Sequence, residues 1–290
     1  LPGDLNVSYL PNSGAEANEG AIKLAYKFHD GKRKFLLHSD ISFHGKLLGT
    51  GSISDSPEVK FKFPGMPNTN SFKWNDIESL ENTISHYEKK KNEPDIFAII
   101  IEPFSASSLL ECSEVFLRRL RKICLEKKII LIFDEIYTGW GKTGEYFYFM
   151  KYEKLVPDIL TMSKSFGGGK ASISCFTTSK QIFEKAYGNI QDSTIHSTTY
   201  NAFGEESVTA LEAVNIAVED NYPEKAKQIG KIINQKLLHL QKKYPNEIKE
   251  LRGQGCLQGI IFNSGPDILK KILSIIPSDI TRDERFINKL

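Results

Sequence analysis

Residues 129–147 read IILIFDEIYTGWGKTGEYF, and residues 157–169 read PDILTMSKSFGGG. Each stretch holds a short apolar run, Ile129–Phe133 in the first and Asp158–Met162 in the second. Strands buried on both faces of a parallel sheet read this way. Each run stops at polar residues, Asp134-Glu135 in one case and Ser163-Lys164 in the other. Asp134 and Lys164 stand 30 positions apart, about one strand–helix–strand unit. Parallel strands would bring both groups to one sheet edge, the carboxyl edge where open α/β sheets bind ligands.

Working outward, further apolar runs occur at Val7–Leu10, Lys34–His38, Ile96–Ile101 and Ile173–Thr177. Helical patterns separate them over Ala15–His29, Asn75–Lys91 and Ser113–Lys127. In the first of these, apolar residues recur at 17, 21, 24, 25 and 28, the spacing of one helix face. The alternation predicts an α/β domain with a mainly parallel sheet. After residue 200 the pattern changes to two long helices, Glu205–Glu219 and Pro223–Lys243, then a strand at Leu257–Phe262. The expected division is a large domain over 1–224 and part of a smaller one over 225–290. The charge run Glu88–Lys91 reads as the solvated end of a helix.

The 290 residues carry 38 Lys+Arg against 36 Asp+Glu, a formal charge of +2. That gives no electrostatic case for a nucleic-acid or membrane partner. No apolar run approaches the roughly 18 residues of a membrane span. The opening LPGDLNVSYLPNSG lacks the basic and apolar regions of a signal peptide. Cys112, Cys124, Cys175 and Cys256 form no CxxC pair. They read as buried small hydrophobes in a reducing, cytoplasmic compartment. The histidines have no metal-ligand spacing, and no metal site is expected.

A strand-end acid and a lysine could form a plain ion pair. The glycines Gly167–Gly169 argue otherwise, because they permit close backbone approach to a ligand. At the start of the chain, Ser13-x-x-Glu16 is a capping box. The same geometry aims free N–H groups of Gly14 and Ala15 at whatever anion lies in front of them. Pyridoxal 5'-phosphate needs all three features. A lysine amine condenses with its aldehyde, an acid keeps its pyridine nitrogen protonated, and a helix N-terminus holds its phosphate.

Seven segments run in a recognisable order: NSGAEANEGAIKLA (12–25), SFHG (42–45), IIIEP (99–103), IFDEIYTGWGKTGEYF (132–147), PDILTMSKSFGGG (157–169), HSTTY (196–200) and LRGQGCLQGIIF (251–262). As an ordered set they resemble the class III aminotransferases of the fold-type-I pyridoxal-phosphate superfamily, over roughly residues 10–262. The resemblance implies a three-layer αβα large domain and part of a small α+β C-terminal domain. It implies that Lys164 is the Schiff-base lysine and the general acid/base, and that Asp134 pairs with the pyridine nitrogen. Gly14 and Ala15 would bind the phosphate, with Ser13 nearby. Phe43 would stack on one ring face and Ile136 pack on the other. Tyr137 stands where many members carry a Gln near the phenolic oxygen, and Glu102 lies close to the cofactor. His44 reads as structural. Thr199, or Thr198, would reach the phosphate of a neighbouring subunit, which implies a homodimer with shared sites.

Two departures qualify the transfer. The stretch STTYNAFGEES (197–207) is closer to a Gly-Glu variant than to the commoner Gly-Gly-Asn-Pro segment. The family's segment ahead of the phosphate turn is absent, so the chain reads as the central portion of a longer protein. Arg282 and Arg285 are the candidates left for a substrate carboxylate. The implied activity is transfer of an amino group from an amine or amino-acid donor to a keto or aldehyde acceptor. A racemase, mutase, decarboxylase or lyase on the same cofactor is the alternative, as is a non-catalytic cofactor-binding module.

Overall fold

Seven strands form the central sheet of the computed structural model, in the order β1-β9-β8-β7-β6-β2-β3. They are β1 (Val7–Tyr9), β2 (Phe35–Ser39), β3 (Thr69–Phe72), β6 (Ile96–Ile101), β7 (Ile130–Asp134), β8 (Ile159–Met162) and β9 (Cys175–Thr178). Strands β4 (Glu88–Lys90) and β5 (Glu93–Pro94) make a separate ribbon. The structure describes residues 1–55, 59, 62–90, 93–192 and 194–263. Strands β3, β2, β6, β7 and β8 pair in parallel, and β9 runs against both of its neighbours, β8 and β1.

The apolar strands split into two faces by simple alternation. Leu37, Ile99, Ile101, Leu131, Phe133 and Leu160 face one core, with Leu80, Ile84, Phe116, Leu117 and Leu120 from the helices Ile77–His86 and Glu114–Lys127. Leu36, Ala98, Ile100, Ile130, Ile132 and Ile159 face the other. That second core is closed by Ala21, Ile22, Leu24 and Ala25 of helix α1 (Gly14–Phe28) and by Ile182 and Ala186 of Lys180–Tyr187. Each fully buried Leu or Ile contributes about 2 kcal/mol, so helices on both faces are held by burial. This is the three-layer αβα arrangement expected of the large domain.

Boundaries follow local chemistry. The Ser113 side chain accepts from Phe116 N at the start of Glu114–Lys127, and Lys128 ends that helix in the left-handed region. The helical pattern read over Asn75–Lys91 is shorter than expected. The helix ends at His86, and Tyr87 packs against Phe35 with ring centroids 4.0 Å apart and planes tilted by 32°. Glu88–Lys90 is therefore the strand β4, not a solvated helix end; Lys91 lies outside the described residues. Strand β3 and the helix Lys180–Tyr187 carry no continuous apolar run and were not foreseen.

Beyond the sheet come the helices Gly204–Glu219 and Tyr222–Lys243, then the antiparallel pair β10 (Ile248–Gln254) and β11 (Leu257–Phe262). The tight turn at Gly255, in the left-handed region at φ 57°, lets Cys256 N donate to Lys142 O at 2.8 Å. Among the described residues, no helix is long and apolar enough to cross a membrane.

Candidate active site

Strand alternation decides which strand-end acid faces which layer. Asp134 continues the Ile130, Ile132 face, so it turns toward α1. Glu135 turns the other way, into the core beneath the loop that follows. There its carboxyl accepts from Tyr148 N, Phe149 N and the Thr138 hydroxyl. Burial pushes Glu135 up to about 7, against the opposing pull of those donors. It is a staple for the Ile136–Phe149 loop. Glu102 follows β6 on the same face as Ala98 and Ile100.

The Asp134 carboxylate accepts from three N–H groups. Ile136 N donates to Oδ1 at 3.0 Å, and Asn18 Nδ2 and His44 Nδ1 donate to Oδ2 at 2.7 and 2.8 Å. His44 is buried, and its Nε2 has no partner. Glu102 is buried as well and accepts from Phe43 N and Ala106 N, both at 2.9 Å. Burial raises its pKa; His44 opposes that rise and Asp134 adds to it.

Helix α1 begins at Gly14, one residue ahead of the expected Ala15, with Ser13 as its N-cap. Ser13 Oγ accepts from Glu16 N at 3.3 Å and donates to Glu16 Oε2 at 2.8 Å. The first N–H groups of a helix have no intrahelical acceptor, so those of Gly14 and Ala15 are available to an anion. Gly14 also admits Ile136, since a Cβ there would stand 2.9 Å from that side chain.

One cavity of about 200 Å³ collects these groups. Gly14, Ala15, Phe43, His44, Glu102, Asp134, Ile136, Tyr137 and Lys164 line it. Lys164 sits in the left-handed region at φ 50°, a conformation that is uncommon and costly for a side-chain-bearing residue. Its amine lies 5.3 Å from the centre of the Tyr137 ring. The Lys142 amine approaches the same ring at 5.8 Å and donates to Ser165 Oγ at 2.9 Å. Burial, with Lys164 nearby, pushes Lys142 down to about 8. An amine, a carboxylate, an open helix N-terminus and an aromatic ring around one small cavity are the donor set pyridoxal phosphate requires. The unpartnered, buried His44 Nε2 is further polar capacity beside it.

Two expectations meet a different outcome. Gly167–Gly169 do not line this cavity; they face a wider one of about 990 Å³, together with the Gly204–Glu219 helix. A Cβ on Gly168 would meet the Ala213 Cβ at 2.9 Å, so the glycine loop serves helix packing there. Cys112, Cys124 and Cys175 are buried, but Cys256 is exposed at the β10–β11 turn, where a tight reversal leaves no core to enter. Thr198 and Thr199 lie outside the cavity of their own chain. Thr198 N donates to Tyr9 Oη, and Thr199 is exposed. Arg282 and Arg285 lie outside the described residues.

The sequence reading passed over Asn18 and Thr161. Asn18 is the one polar residue with no exposure in α1, four positions after Gly14 and hence on the same helix face. A buried amide on an otherwise apolar face was the available signal. Among the described residues no cluster of His, Cys, Asp and Glu is arranged to hold a metal ion.

The match to known proteins agrees with this geometry. The model of the family described as aminotransferase class-III matches residues 1–276. The chain belongs to the class-III aminotransferase family. Its fold is similar to that of an (S)-enantioselective omega-transaminase from Thermomicrobium roseum, with a TM-score of 0.85 at 24% identity. That match covers 93% of this chain and 65% of the other. An ornithine aminotransferase from Toxoplasma gondii ME49 superposes with a TM-score of 0.81 at 23% identity, covering 93% and 64%. An omega-transaminase from Pseudomonas jessenii, in complex with PMP, gives 0.80 at 22%, covering 90% and 62%. The chain thus spans less than two thirds of the length of these structures.

Proposed function

We propose that this chain is the cofactor-holding portion of a pyridoxal-phosphate-dependent aminotransferase. The reaction moves an amino group from an amine or amino-acid donor to a keto or aldehyde acceptor. The carrying observation is the convergence of Lys164, Asp134 and the α1 N-terminus on one cavity. When bound, pyridoxal phosphate supplies an electron sink that stabilises negative charge on the substrate carbon.

The residues divide the remaining work. Lys164 would hold the aldehyde end through its amine and, when that amine is free, would hold and move a proton at Nζ. Asp134 would accept a hydrogen bond from the ring nitrogen, which favours the protonated ring. The Gly14 and Ala15 N–H groups would bind the phosphate, and Ser13 fixes the turn before them. Phe43 and Ile136 would confine the ring. Tyr137 offers its π face to the Lys164 amine. Glu102 fixes the Phe43 backbone.

The proposal includes a homodimer in which Thr198 or Thr199 reaches the partner's phosphate. The exposed Thr199 and the exposed apolar side chains Val208, Leu211 and Val218 support it. A domain division near 225 is supported by the separate β10–β11 sheet. The four free cysteines support a reducing, cytoplasmic setting. Single-turnover chemistry tests the reaction. With an amino donor and no acceptor, the holoenzyme should release one equivalent of keto product per site. Racemised or decarboxylated donor with no keto product would contradict it.

A further inference from the structure

Asn18 reaches Asp134 from the middle of α1's first two turns and is completely buried. All three of its polar contacts are short. Nδ2 donates to Asp134 Oδ2 at 2.7 Å and to the His44 carbonyl at 2.8 Å, and Oδ1 accepts from the Thr161 hydroxyl at 2.8 Å. The amide has one workable orientation. Turned over, its oxygen would face a carboxylate and a carbonyl, two acceptors with no proton between them. Thr161 is the direct cross-strand partner of Asp134 in the β7–β8 register, so the hydroxyl that fixes the amide and the acid it serves ride on adjacent strands.

The two Asp134 oxygens are loaded unequally. Oδ2 takes Asn18 and His44; Oδ1 takes only Ile136 N. Two donors fill the lone-pair sites of one carboxylate oxygen, and one donor leaves a site open on the other. We propose that Asn18, locked by Thr161, is a positioning residue that occupies Asp134 Oδ2 and leaves Oδ1 as the oxygen offered to a bound ring nitrogen. This rests on the cofactor reading above and specifies how the acid is aimed. Asn18 touches neither substrate nor reacting atoms; it acts through Asp134.

The test uses the full chain with pyridoxal phosphate, reading the dissociation constant and the 15N shift of ring-labelled cofactor. Asn18→Leu removes a hydrogen bond to a charged group and should weaken binding about 10- to 100-fold. It should also move the ring 15N signal toward its unprotonated position. Thr161→Val frees the amide and should cause a smaller loss in the same direction. The pair Asn18→Leu/Thr161→Val should bind no worse than Asn18→Leu alone, because both act through one amide. Asn18→Asp keeps the volume if the leucine variant folds poorly. It sets a second carboxylate against Oδ2 and should lose at least as much affinity. Combining it with Asp134→Asn restores the hydrogen bond with donor and acceptor exchanged. Thermal stability of the cofactor-free protein should then recover while cofactor affinity does not.

Wild-type affinity and an unchanged ring 15N shift in Asn18→Leu, or in Asn18→Asp, would overturn the assignment. So would losses from Asn18→Leu and Thr161→Val that simply multiply. If the unsubstituted protein takes up no cofactor, the functional reading itself fails, and that outcome is separate from an unaffected Asn18 variant.

Discussion

Ile136 rests against the backbone of Gly14, so closely that a Cβ on Gly14 would lie 2.9 Å from both Ile136 Cδ1 and Cγ2. The residue two places after the strand-end acid and the first residue of α1 are thereby fixed to each other. One contact joins the two halves of the site. Gly14→Ala should force Ile136 toward the cavity, because the isoleucine tip is the part that can move. The expected cost is about 1–2 kcal/mol of stability and an increase of about tenfold in the cofactor dissociation constant. Adding Ile136→Val, which shortens the displaced side chain but keeps a β-branched wall on the cavity, should recover part of the affinity. Denaturant unfolding and cofactor titration on the three proteins check this.

Glu135 should make stability depend on pH in the direction opposite to a salt-bridged acid. Its folded pKa is raised from 4.5 to about 7 by burial. Between those values the folded chain binds a proton that the unfolded chain has lost, so its contribution to stability falls as pH rises. Glu135→Gln cannot titrate and should flatten that slope. The stability of the native protein relative to the variant should decline by about 2–3 kcal/mol from pH 4.5 to pH 7.5. Urea unfolding across this range measures it; a constant difference would remove Glu135 as the cause.

Lys142 should lose its charge near pH 8, the value to which burial and Lys164 lower it. NMR titration of 13C-methylated lysines should show one resonance with a midpoint near that pH, absent in Lys142→Met. Ordinary lysines titrate at about 10.4, and such a midpoint for Lys142 would contradict the packing seen around Tyr137.

The glycine loop separates two kinds of cost. Gly168 and Gly169 both have positive φ, at 61° and 73°, but only Gly168 is crowded, by Ala213. Gly169→Ala should lose about 1 kcal/mol, the conformational share. Gly168→Ala should lose about 2–3 kcal/mol, and Ala213→Gly should restore the steric share alone. Melting temperatures of the four proteins check the ordering.

The strands were legible where burial on both faces makes a continuous apolar run. Ile96–Ile101, buried throughout, matches its apolar run to the residue; Leu257–Phe262 does too, although it is only half-buried in a two-stranded sheet. The paired acid and lysine were legible because a strand–helix–strand unit has a nearly fixed length. Thr69–Phe72 was not, because an edge strand with only Phe72 buried carries no such run. Gly168 packs against the Gly204–Glu219 helix, a role the sequence does not show because a glycine that admits a helix and one that admits a ligand look alike. Asn18 was missed since its partners, Asp134 and Thr161, are 116 and 143 positions away. The segment ahead of a site can be read locally; a hydrogen-bond network across three elements cannot.

The direct test of the central claim is where the cofactor is held. Holoenzyme reduced with borohydride, digested and analysed by mass spectrometry should carry the pyridoxyl-phosphate mass on the peptide containing Lys164. The adduct should be absent from Lys164→Ala, which retains every other lysine. A label on another lysine, or an undiminished label in Lys164→Ala, would contradict the account.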